Sequence, residues 1–121
     1  DWERFDEPTS QWCFGRLAEV DAELAQHSWL RTIRDEWTAS GQPWPQYWPG
    51  WAAREGLHTG QQILDELNAR FRCHSSTRGP YFFPDLDETT EADEQAAIDA
   101  GRIRAGGIRF VGYPKGATTT T

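Results

Sequence analysis

The chain has 121 residues and a formal net charge of −7, from nineteen acidic and twelve basic side chains, which is room for one domain of ordinary size. Leu, Ile, Val and Phe together supply only 20 residues, a level at which a charged chain approaches disorder, but seven Trp and three Tyr offset the deficit, because each aromatic side chain buries on the order of 150–250 Å². The balance excludes collagen, a coiled coil, a membrane span and a disulfide mini-protein, and points to one globular domain over residues 1–116 with a mobile tail at 117–121.

The charge is unevenly placed. Residues 1–84 hold twelve acids and eight bases, residues 85–99 seven acids and no base, and residues 100–121 four bases and no acid. Such a chain repels phosphate backbones at long range and favours cationic partners. Cys13 and Cys73 lack CxxC spacing, which argues against a zinc knuckle or a redox pair and leaves two buried free thiols as the expectation. The start, Asp1-Trp2-Glu3-Arg4-Phe5, has neither a basic head nor an apolar stretch; with no initiator Met it reads as processed or trimmed, and the expected location is cytoplasmic.

From Ser10 to Gln26, Cys13, Leu17, Val20 and Leu24 recur at the spacing of one helix face. His27-Ser28 breaks the register, and Leu30, Ile33 and Trp37 predict a second helix, with Ser28 as N-cap and Gly41 as its stop. The stretch 40–51, SGQPWPQYWPGW, has three Pro and two Gly, so a loop carrying an unusual aromatic load is expected there. Thr59-Gly60-Gln61-Gln62 has capping-box form and introduces a helix with Ile63, Leu64, Leu67 and Phe71 on one side and Asp65 and Glu66 on the other. Tyr81-Phe82-Phe83 before Pro84 reads as a short extended run. Thr90 can cap a helix whose first turn is Glu91-Ala92-Asp93-Glu94 and which ends at Gly101. Arg102–Ala105 and Ile108–Val111 flank Gly106-Gly107, the signature of a two-residue hairpin, which would set Arg104 opposite Arg109.

The predicted architecture is therefore α+β: a single small domain of three to four helices, a short strand and a C-terminal β-hairpin. Its first candidate site is the Trp/Pro segment. Trp37, Trp44, Tyr47, Trp48 and Trp51 could wall a recess for a cationic or aromatic small molecule, with nearby acids strengthening the attraction, or could anchor a basic protein surface; the competing reading is that they plug a core short of aliphatic groups. The second candidate is the Arg102, Arg104 and Arg109 face, which needs negative charge nearby. Either nucleic acid or the acids of residues 85–99 could supply it, and the net charge favours internal pairing. The alternation Asp85, Asp87, Thr89, Glu91, Asp93 resembles a calcium loop but lacks its Gly and its terminal Glu. Cys73-His74, His58 and His27 form no recognisable thiol-catalysis signature, and no GxGxxG, P-loop, HExxH or GxSxG occurs. The sequence thus names no catalytic residue, metal site or cofactor and no membrane partner, and leaves the oligomeric state open. It favours a small acidic binding protein built on the Trp/Pro segment; the alternatives are a nucleic-acid-associated regulator using the Arg face, or an enzyme without a motif.

Overall fold

The computed structural model describes residues 1–17 and 29–117. They form a small α+β domain: α1 (Glu7–Gly15), α2 (Trp29–Ser40), α3 (Trp44–Arg54), α4 (Gly60–Arg70), β1 (Phe71–Gly79), α5 (Glu91–Asp99) and β2 (Gly107–Pro114), with 3-10 turns at Trp2–Arg4, Phe83–Asp85 and Lys115–Ala117. No helix among the described residues is long and apolar enough to cross a membrane. Val20, Leu24, the break at His27-Ser28 and tail residues 118–121 lie outside the described residues.

The first helix begins earlier than its apolar stripe predicts. Asp6 caps it, its carboxylate accepting from the Thr9 amide at 3.1 Å and the Thr9 hydroxyl at 2.6 Å, and Pro8 sits in the first turn, where its missing N–H costs nothing. Leu17 is buried but lies beyond the helix. Helices α2 and α5 end as expected, before Gly41 and Gly101, whose φ values of 68° and 73° fall in the left-handed region that other residues enter only with strain. The capping boxes expected at Thr59 and Thr90 are both formed, with Gln62 and Asp93 as their reciprocal partners.

The Trp/Pro segment is a helix, not a loop. In α3 the residues at positions 44, 47, 48 and 52 are buried, the spacing of one helical face, while Pro45 and Pro49 are exposed. Pro45 stands near the helix start, and only Pro49 lies inside it, an insertion that costs about 3 kcal/mol or more. Burying Trp44 and Trp48 outweighs that, because truncating a single buried Trp or Phe costs about 3–5 kcal/mol.

Phe5 is the centre of the core. Its ring lies 4.7 Å from that of Phe82, 5.0 Å from Trp48, 5.2 Å from Trp44, 6.2 Å from Phe14 and 6.3 Å from Trp29, centroid to centroid. Trp44 and Trp48 are buried in this cluster, and Trp2, Trp12, Trp29, Trp37 and Trp51 pack around it half-buried, so the expectation that aromatic groups replace aliphatic ones describes the core. The indole N–H groups of Trp44 and Trp48 donate to the carbonyls of Phe5 at 2.9 Å and Trp2 at 2.7 Å, satisfying both polar edges and pinning the first residues onto α3.

The two strands pair with each other, antiparallel, from Phe71 opposite Pro114 to Gly79 opposite Gly107, with an irregularity between Cys73 and Ser75. The hairpin predicted across Gly106-Gly107 is not formed. The backbone of residues 102–105 is engaged elsewhere: the Arg104 amide donates to the Thr9 hydroxyl at 3.1 Å, the Ala105 carbonyl accepts from Arg4 at 3.1 Å, and Ile103 is buried. The partner strand β1 gave no signal because Arg72–Thr77 are exposed throughout, so no apolar alternation marks it.

Nor is Tyr81–Phe83 a strand: Phe82 is buried and Phe83 opens a 3-10 turn. Three consecutive amides there, of Tyr81, Phe82 and Phe83, donate to the Glu94 carboxylate at 2.6, 2.8 and 2.7 Å. Glu94 is fully buried, and these charge-assisted bonds compensate its removal from water.

Candidate ligand cavity

The aromatic core is not closed. Where the N-terminal turn, α2, the end of α3 and the Tyr81-Phe82 segment meet, a cavity of about 490 Å³ opens, bordered by Trp2, Phe5, Trp29, Trp48, Trp51, Tyr81 and Phe82, with Asp1, Gly56, Leu57, His58, Ile63 and Gly106 completing the lining. For a half-open recess, this volume falls in the range of roughly 300–1,000 Å³ typical of small-molecule sites.

Each wall follows from local chemistry. Helix α3 carries Trp44, Trp48 and Trp51 on one side, and their rings form a continuous near-parallel stack: Trp44 to Trp48 at 5.2 Å and 10°, Trp48 to Trp51 at 5.3 Å and 14°. The stack runs from the interior, where Trp44 is 2% exposed, to half-buried Trp51. Trp29, at the start of α2, is oriented by the bond from its indole N–H to Asp85 at 3.1 Å. Tyr81 and Phe82 meet edge to face at 5.2 Å, and their backbone is the part held by Glu94. Beyond α3 the chain turns at Gly56, whose φ is 67°, and brings Leu57 and His58, both exposed, to the rim.

The electrostatics differ from an acid-rimmed recess. Among the described residues Asp1 is the one carboxylate on the lining; it bridges Arg78 at 2.8 Å and Arg4 at 3.5 Å. The faces of the lining rings carry the negative side of the aromatic quadrupole.

The sequence-predicted residues are divided by this geometry. Trp48 and Trp51 border the cavity and Trp44 backs them in the stack. Trp37 lies on the other side of the core, stacked on Phe14 at 5.8 Å with its N–H bonded to the Gln42 carbonyl at 2.7 Å. Tyr47 is buried beside Glu36, with its hydroxyl 3.5 Å from the carboxylate; burial and then Glu36 push its phenol pKa up. Trp2, Phe5, Trp29, His58, Tyr81 and Phe82 were missed. Trp2, Phe5 and Trp29 each abut a segment read as a terminus or an interruption, and nothing in their spacing ties them to α3.

The Arg residues do not share a face. Arg109 lies on β2, where it pairs with Glu91, the internal pairing with the acid stretch that the sequence favoured. Arg102 and Arg104 are exposed in the irregular segment before β2. The alternating acids are likewise distributed: Asp85 to Trp29, Asp87 to Arg31, Glu91 to Arg109, and Asp93 to its own helix cap. Among the described residues no group of three His, Cys, Asp or Glu could hold a metal ion. Cys13 is buried, whereas Cys73 is exposed, contrary to the expectation of two buried thiols; desolvation, then Glu94, pushes the Cys13 pKa up, which disfavours the reactive thiolate.

No family model, curated protein or solved structure matches this chain.

Proposed function

We propose that this chain is a small-molecule-binding protein and that the indole-walled cavity takes a compact aromatic ligand, uncharged or positively charged. The observation that carries this reading is a cavity of about 490 Å³ bordered by four Trp, two Phe and a Tyr, a lining that offers flat apolar contact with few polar handles. A recess of this volume matches a small molecule, whereas a basic protein surface would need a contact patch of roughly 800 Å² per partner. A cation is welcome through attraction to the ring faces and through the long-range field of a chain carrying −7. The nucleic-acid alternative called for Arg102, Arg104 and Arg109 on one hairpin, and nothing favours it now. No reaction on the ligand is proposed: among the described residues the titratable side chains bordering the cavity are Asp1, His58 and Tyr81, and Asp1 is already bridged by two arginines.

The reading is tested by titrating an isotope-labelled chain with a library of small aromatic and aliphatic fragments and mapping amide and indole shifts by NMR. Binding should perturb Trp51, His58, Tyr81 and Gly106 together while leaving β1 and β2 unmoved. Shifts confined to the ribbon or the Arg-rich segment, or no fragment bound at millimolar concentration, would refute it.

A further inference from the structure

Resting on the cavity reading above, we infer that the ligand is a planar, electron-poor, fused-ring aromatic, best carrying a positive charge, that stacks on Trp51 as the next rung of the indole series. Trp44, Trp48 and Trp51 repeat at the i, i+4, i+7 positions of one helix face, and their rings stay within 14° of parallel at each step. Helix α3 ends at Arg54, and Trp51, the last ring of the series, is half-buried and borders the cavity. Beyond the helix the chain turns at Gly56, whose Cβ position meets open space, and continues to Leu57 and His58 on the cavity lining. Three rungs are thus preorganised by the core, and the outermost borders the cavity.

Indole is electron-rich and presents a negative face, so it stacks best on a flat ring that is poor in electrons, and better still on one that is cationic. A puckered ring of equal size would fill volume without matching the plane. An anion would meet both the ring faces and the chain's net negative charge. Preorganisation matters as much as attraction, since Trp51 is already held by Trp48 and loses little freedom on binding.

Three probes separate the terms: N-methylquinolinium (planar, cationic), quinoline (planar, neutral) and decahydroquinoline (puckered, cationic at neutral pH), each titrated by calorimetry and by Trp fluorescence. N-methylquinolinium should bind at least about tenfold more tightly than decahydroquinoline, with quinoline between them. Trp51→Leu, which keeps apolar bulk and removes the π face, should weaken N-methylquinolinium by about tenfold and decahydroquinoline by clearly less; Trp51→Phe should restore most of the loss. Equal binding of the planar and puckered cations to the unaltered chain overturns the stacking inference and leaves the cavity reading standing, as does a Trp51→Leu variant that binds N-methylquinolinium undiminished. If none of the three probes binds, the stacking inference falls, and the fragment titration decides the cavity reading. Because the comparison of probes uses the unaltered chain, it decides the matter even where Trp51→Leu fails to fold.

Discussion

The helical region and the two-stranded ribbon are stabilised in opposite ways. Around Phe5 the chain spends seven indoles and buries or half-buries all of them, with indole N–H groups satisfied by backbone carbonyls. In the ribbon, Arg72–Thr77 of β1 are exposed throughout, and Val111 and Tyr113 of β2 are 52% and 60% exposed. Large aromatic groups tolerate an irregular backbone, even a proline inside a helix, because each contributes more than the defect costs. The ribbon rests on its ladder of backbone hydrogen bonds, which contribute modestly each, and two strands alone are marginal in water.

The two thiols give the sharpest contrast. Cys13 in the core should react with a thiol reagent only through opening of the fold, more than about a thousandfold more slowly than Cys73 on the ribbon if the domain has ordinary stability; comparable labelling rates would erase the distinction. Next in size, Trp44→Ala should cost about 3–5 kcal/mol in denaturant unfolding. Glu94→Gln should cost about 2–3 kcal/mol, because its amide oxygen can replace Oε1 for Phe82 and Phe83 while its NH₂ then faces the Tyr81 amide that Oε2 now accepts. On the ribbon, Arg109→Ala should change stability by less than about 1 kcal/mol, since both Arg109 and its partner Glu91 are largely exposed. A ribbon variant as damaging as Trp44→Ala would show that the strands carry the fold.

The smallest effect concerns acid. Hydrogen bonds from the Thr90 amide and hydroxyl hold the Asp93 pKa below its usual value, so its contribution is present above the unfolded pKa and is lost as pH falls through the lower folded value. Asp93→Asn should therefore slightly flatten the acid limb of a circular-dichroism titration; an unchanged limb would mean that the cap does not titrate with folding.

Much of the helical framework could be read from the sequence because its signals are local. Thr59-x-x-Gln62 and Thr90-x-x-Asp93 announce their helices by capping chemistry, and Gly41 and Gly101 announce where helices stop. Pro49 misled for a physical reason: helix-breaking cost is visible in the sequence, but the burial that offsets it depends on Phe5 and Trp2, more than forty positions away. The ribbon failed likewise, since Gly106-Gly107 matches a turn whereas pairing with residues 71–79 leaves no local trace. Of the cavity, Trp48 and Trp51 were legible as a feature of unexplained hydrophobicity, and the remaining walls arise only when the N-terminal turn folds over α3. Glu94 was hidden among the acids of a helix start, where a carboxylate ordinarily faces water.

On the binding proposal the indoles of α3 are graded, Trp44 serving the core and Trp51 a ligand. Indole N–H resonances of an isotope-labelled chain, assigned by single Trp→Phe variants and followed during addition of N-methylquinolinium, test it most directly. The account predicts that the Trp51 signal shifts most, that of Trp48 less, and those of Trp37 and Trp44 least; saturable binding with the largest shift at Trp37, or equal shifts at all indoles, would contradict it.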